Sequence, residues 1–209
     1  MSQVKLDPNQ NYTFSKYFEN GYYSEDLADY FGYKLVLVNL ILPLYQGELD
    51  RLAELRDRIT EVLPHVPLTT ELARREVIIS KVVLELIHYT NVQIRIEFGI
   101  KVSNLLQGNL DYLIRTYQTN QLLVVEAKYE DLTRGFTQLV AEMIALDQWE
   151  ESPAITEQPI LIGSVTTGKI WQFARLDRAN KHFELAINSY RVPEDLEELM
   201  RILLAVLKS

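Results

Sequence analysis

The sequence predicts a mixed α/β protein in which helices cover a β-sheet. Three observations predict it. Apolar residues recur at helical spacing over residues 71–88 and then at every second position over 92–98, so the period drops from 3.6 to 2. Two more strand-like runs, 110–117 and 122–129, flank a short polar turn at 118–121. Helical and strand-like runs then alternate to the C-terminus, the pattern of a sheet packed under helices.

Taken in order, residues 12–33 are rich in Tyr and Phe, and Ser24 precedes Glu25 and Asp26 as an N-cap with acids in the first turn. Residues 48–63 place Leu52, Leu55, Ile59 and Leu63 on one helical face. Pro64 and Pro67 close this stretch, so residues 1–67 read as a small, mostly helical N-terminal extension and 68–209 as the α/β core. Thr70 can cap the helix that begins at Glu71. Residues 133–148 are helical. A hairpin is expected around Thr166-Thr167-Gly168, between 160–164 and 169–176, and a further strand within 183–190. Pro193 opens a last helix whose Leu196, Leu199, Met200, Leu203 and Leu207 form an apolar stripe. That stripe either covers the chain's own sheet or pairs with a second copy in a homodimer.

At 209 residues the chain suits one domain with a small addition. It has no cysteine, which excludes disulfides, thiolate zinc sites and cysteine nucleophiles. The first 20 residues lack a basic stretch followed by an apolar core, and the longest apolar run, residues 35–45, is about half the roughly 20 residues of a membrane span. The expectation is a cytoplasmic protein with no membrane partner. The net charge of −8 argues against wrapping nucleic acid by bulk attraction. The charge is uneven, however. Residues 1–70 carry ten acids and six bases, residues 131–209 twelve acids and eight bases, and residues 71–130 seven of each.

That neutral segment holds the unusual chemistry. An apolar strand ending in Glu126-Ala127-Lys128 puts Glu126 and Lys128 on one face, where burial is costly unless they pair or bind something. If the preceding turn centres on Thr119-Asn120, Gln118 pairs with Gln121 and Asp111 lies opposite Lys128. Asp111, Glu126 and Lys128 then converge. Two carboxylates and an amine suit a hard divalent cation, Mg²⁺ or Mn²⁺, that holds a phosphate and activates a water. At 100° per residue, Glu76 falls within the stripe of Leu72, Ile79, Val83 and Ile87, so it is expected to face the core or the site.

An Asp on one strand and Glu-x-Lys on the next, after a helix with an inward Glu, resembles the PD-(D/E)XK nuclease superfamily, which has the restriction-endonuclease-like fold. The resemblance implies a mixed sheet flanked by helices. It implies that Asp111 and Glu126 are metal ligands, that the Ala127 carbonyl is a third, and that Lys128 is the catalytic lysine. Glu76 matches the acid many members carry on the first core helix and can join the metal. Gln138 matches a Gln on the helix after Glu-x-Lys. One departure is Leu110, where a Pro is common. Residues 68–76, 134–138 and 190–196 are also similar to conserved bacterial proteins, many of them cyanobacterial, that are nuclease-like by motif.

The resulting expectation is a Mg²⁺- or Mn²⁺-dependent nuclease acting on DNA, with Arg74, Arg75, Arg95, Lys101 and Arg115 available to line a substrate groove. Two other readings compete: a nuclease-fold accessory protein with weak or no cleavage, and a structural oligomer whose Asp111–Lys128–Glu126 cluster is a satisfied ion network. Gln138 lies off the apolar face of its helix, near Ala141, Glu142 and Ala145, so exposure to solvent is an equal expectation for it. Trp171 and the three histidines, His65, His88 and His182, read as structural.

Overall fold

The computed structural model describes residues 6–7, 10–117, 121–128 and 131–208. Its centre is one eight-stranded, mostly antiparallel sheet with helices on both faces. The order along the chain is α1 (Phe14–Glu19), α2 (Ser24–Tyr30), β1 (Lys34–Val38) and α3 (Leu52–Val62). A long helical stretch follows: α4 (Glu71–Arg74), a π-helical turn (Arg75–Ile79) and α5 (Ser80–Tyr89). Then come β2 (Val92–Lys101), β3 (Gln107–Thr116), β4 (Leu122–Ala127) and α6 (Leu132–Gln148). The chain ends with β5 (Ile160–Thr166), β6 (Ile170–Asp177), β7 (His182–Ala186), β8 (Tyr190–Arg191) and α7 (Leu196–Lys208).

The strands lie in the order β1-β7-β6-β5-β4-β3-β2, with β8 beside the end of β6. Among the described strands, β4/β5 and β1/β7 pair in parallel and the other pairs are antiparallel. A parallel pair needs a crossover, and α6 supplies it between β4 and β5. β4 is buried at every position because both of its faces are covered. Leu123, Val125 and Ala127 join the core under α3, α5 and α7, whereas Leu122 and Val124 join the core under α1, α2 and α6. Glu126 therefore points to the α6 side. The apolar stripe of α7, including Leu199, Leu203 and Leu207, is buried within the chain itself.

The N-terminal extension is built into the main sheet and both cores. It contributes a strand as well as helices: residues 34–38 pair with β7 and form one edge of the main sheet. Its side chains also belong to both cores, Tyr17 and Leu27 to one and Leu55 and Ile59 to the other. The expected cap at Ser24 is absent. Ser24 is the first residue of α2, and its Oγ lies 3.2 Å from Thr137 Oγ1. Thr70 does cap its helix, accepting from the Ala73 N–H at 3.0 Å.

The β3–β4 register also differs. Tyr112 pairs with Val125 and Arg115 with Leu122, and the Thr116 N–H bonds the Gln121 carbonyl. The ladder is displaced by two residues from the one expected, so its continuation sets Asp111 against Glu126, not Lys128. An even displacement preserves the face on which every side chain lies. The expected turn residues 118–120 lie outside the described residues.

Candidate functional site

Four of the expected site residues meet in one cleft of about 400 Å³: Asp111, Glu126, Lys128 and Gln138. β3 presents Asp111, the end of β4 presents Glu126, Lys128 follows directly, and the second turn of α6 presents Gln138. All four are buried. Asp111 Oδ2 accepts from the Ala127 N–H at 2.7 Å, which ties the two strands together beyond the last ladder pair. Lys128 Nζ donates to Glu126 Oε1 at 2.5 Å. Gln138 Nε2 donates to the same Glu126 oxygen at 2.6 Å and to Glu142 Oε1 at 2.9 Å.

Glu76 is not in this cluster. It is exposed, and Glu71 and Arg75 line the cleft in its place. The π-helical turn at Arg75–Ile79 is the cause. It adds a residue to one turn, which rotates the chain before it by about 100° relative to α5. Leu72, expected on the inner stripe, is turned outward to 66% exposure, and Glu71 is turned inward. At the far end, Ile87 is also exposed, and Val82, Val83 and Leu86 carry the buried face.

Two further acids belong to the site and were not singled out from the sequence. Glu142 is fully buried, one helical turn beyond Gln138. Glu97 on β2 lines the cleft mouth with a left-handed backbone, φ 52°, a conformation that costs of order 1–3 kcal/mol for a non-glycine residue. The β2–β3 ladder pairs Ile96 with Tyr112 and Phe98 with Leu110 and skips the step at Glu97 and Asp111. Arg75 bonds Glu97, lies 3.4 Å from Asp111 Oδ1 and stacks 5.3 Å over Tyr112.

Of the five bases expected near a groove, Arg75 alone lines this cleft among the described residues. Arg74 donates to the Thr167 carbonyl, Arg95 sits over Phe98, and Arg115 reaches the Glu151 carbonyl. Trp171 is buried and donates to the Gly168 carbonyl, as a core residue does.

Burial dominates the electrostatics. It raises the carboxyl pKa of Asp111 against the opposing pull of the Ala127 N–H, Arg75 and Lys128. Glu126 is raised well above the usual carboxylate range, by burial and then by Glu142 and Asp111. Burial pushes Glu142 up to about 8. Glu71 is also raised by burial. For Lys128, burial acts to lower the ammonium pKa, but the adjoining Glu126 outweighs it and the net shift is upward.

The donor set fits a hard cation. Asp111 and Glu126 offer carboxylate oxygen in the cleft, and Mg²⁺ is commonly held by one or two carboxylates with water completing its shell. Glu126 Oε2 is buried without a hydrogen-bond partner, as are Gln138 Oε1 and Glu142 Oε2. Among the described residues, no group of three or more His, Cys, Asp or Glu side chains is arranged to hold an ion. The fit therefore rests on the two carboxylates. Among the described residues no helix is long and apolar enough to cross a membrane. Comparison with family models, curated proteins and solved structures gives no match to this chain.

Proposed function

We propose that this protein is a divalent-metal-dependent nuclease of the restriction-endonuclease-like type, hydrolysing phosphodiester bonds of DNA. The observation that carries the reading is the convergence of Asp111, Glu126 and Lys128 in one cleft, with a carboxylate oxygen of Glu126 buried and lacking a donor. The element order supports it too: a helix, three strands, a crossover helix and a further strand surround the site.

In this reading Asp111, Glu126 and the Ala127 carbonyl would hold Mg²⁺ or Mn²⁺. When bound there, such an ion would neutralise charge at the phosphate and make a coordinated water more acidic. Lys128 orients the attacking water and stabilises negative charge developing on the phosphate. Gln138 fixes the Glu126 carboxylate through its 2.6 Å hydrogen bond. Arg75 offers a guanidinium at the cleft wall for a phosphate oxygen.

One observation favours a second reading, an accessory protein of the same fold without efficient cleavage. Both cations of the cleft are engaged by its own carboxylates, Lys128 by Glu126 and Arg75 by Glu97. Plasmid and oligonucleotide cleavage in Mg²⁺ and in Mn²⁺ separates the two. Wild-type protein should cut, and Lys128→Ala should lower the rate by at least about 100-fold, the scale of removing a transition-state charge stabiliser. Metal binding by calorimetry without cleavage of any substrate would favour the accessory reading.

A further inference from the structure

We infer that the cleft admits a single strand of nucleic acid and excludes an intact duplex. This rests on the proposed nuclease reading and concerns which form of substrate reaches the site. The N-terminal segment forms one wall of the cleft through Thr13, Phe14 and Ser15, and Glu71, Arg75 and Glu97 form the other.

The N-terminal wall is fixed in place. The Tyr12 N–H bonds the Asn104 carbonyl at 2.7 Å, and Tyr17 Oη donates to the Leu105 carbonyl at 2.6 Å. Thr13 bridges Gln107 in β-fashion. Gly108 has φ +144°, and a Cβ there would meet Phe14 Cδ2 at 2.9 Å, so α1 is seated directly on the start of β3. Widening the cleft would break these contacts and uncover Phe14 and Tyr17, which are 1% and 0% exposed.

Between such walls, a reacting phosphate must descend to Glu126 and Lys128, which are buried at the cleft floor. The cleft volume of about 400 Å³ is that of a site for one small molecule, at the low end of roughly 300–1,000 Å³. One nucleotide with its phosphate fits that scale. A duplex is the bulkier guest, since its second strand must enter with the first between walls that do not part.

Electrostatics act in the same direction. The mouth carries Glu71 and Glu97, and the chain as a whole is −8. A duplex presents one phosphate charge per roughly 1.7 Å of axis, and binding it demands many cationic contacts. A single strand has about half that charge and can present one phosphate at a time to Arg75 and Lys128.

The test uses the full chain and one labelled sequence in three forms: single-stranded DNA, the matching single-stranded RNA, and the DNA duplex. Cleavage is timed in Mg²⁺ and Mn²⁺, and binding is followed by fluorescence anisotropy with Ca²⁺ replacing them. A single-stranded form should be cut at least about tenfold faster than the duplex and bound more tightly. The DNA and RNA arms show which sugar the cleft accepts. Ser15→Trp, at an exposed wall position, should reduce single-strand binding and cleavage together while leaving the melting temperature unchanged. Equal or faster cutting of the duplex, or an unaffected Ser15→Trp protein, overturns the inference and leaves the nuclease reading standing. Single-strand-selective binding with no cleavage overturns the nuclease reading alone. No binding and no cleavage overturns both.

Discussion

Glu126 and Glu142 are two fully buried carboxyl groups joined by one side chain, with Gln138 Nε2 donating to both at 2.6 and 2.9 Å. The amide can satisfy one oxygen of each. The second oxygen of each carboxyl has no hydrogen-bond partner. Burial raises both carboxyl pKa values; the charge of Glu142 adds to the rise at Glu126, whereas at Glu142 the neighbouring Glu126 and Gln138 act to lower it and burial outweighs them. A proton retained on this pair is the cheapest relief available to the metal-free protein.

A pH-dependent stability follows. Glu142 ionises at about 8 in the folded protein and near 4.5 as its ordinary value. A folded-state pKa above the unfolded one contributes stability that is complete below about 4.5 and is lost as pH rises through about 8. The groups facing it are Glu126, Gln138, Asp111 and Lys128. Glu142→Gln removes the ionisation while keeping the shape. In EDTA its melting temperature should exceed wild type at pH 8 and converge with it near pH 5. The expected gain at pH 8 is about 1–3 kcal/mol, the cost of a poorly satisfied buried polar group. Parallel melting curves for the two proteins between pH 5 and 8 would refute this.

How much of this arrangement was legible in the sequence depends on which rule each residue obeys. Strand parity is robust. The β3–β4 register is two residues from the one expected, yet Asp111, Glu126 and Lys128 still share a cleft, because an even slip leaves every side chain on its face. Helical phase is fragile. A single π-helical turn removed Glu76 from the site and brought in Glu71, and no residue pattern around Arg75–Ile79 announces that turn. Gln138 and Glu142 were obscured for another reason. A one-sided apolar stripe identifies the buried face of a helix with one covered side, but α6 is covered by the sheet on one side and by α1 and α2 on the other. Ala141 and Ala145, in line with Thr137, which meets Ser24 of α2, are the trace of that second contact, since small residues permit close approach. The strand at residues 34–38 overlaps the start of the longest apolar run, but nothing local pointed to β7, almost 150 positions away, as its partner.

The displacement from Glu76 to Glu71 gives a paired test. Glu76 is exposed, so Glu76→Gln should leave activity and stability within about 0.5 kcal/mol of wild type. Glu71 lines the cleft, and burial raises its carboxyl pKa against the pull of Lys128. Glu71→Gln should therefore alter the metal-concentration dependence of cleavage. The decisive measurement is a Mn²⁺ titration of rate for both variants. A larger effect from Glu76→Gln would mean that the helix runs without the π-helical turn.

Gly135 gives a test of how closely α6 must approach Lys128. A Cβ at this position would lie 2.6 Å from Val165 Cγ2 and 3.1 Å from Lys128 Cγ. The first contact is too short for any real methyl group, so Gly135→Ala must push α6 away from β5 or tilt the Lys128 stem. The aliphatic stem of Lys128 is what the helix packs on, while its ammonium reaches Glu126 at 2.5 Å and lies 5.2 Å from the Phe18 ring. Overpacking of this kind costs about 1–3 kcal/mol, which in a chain of this size lowers the melting temperature by several degrees. The same shift should move Lys128 off its carboxylate partner and lower cleavage more than substrate binding. Calorimetric melting together with separate measurements of kcat and KM checks both parts, and a protein with wild-type melting and unchanged kcat would show that this contact does not position the lysine.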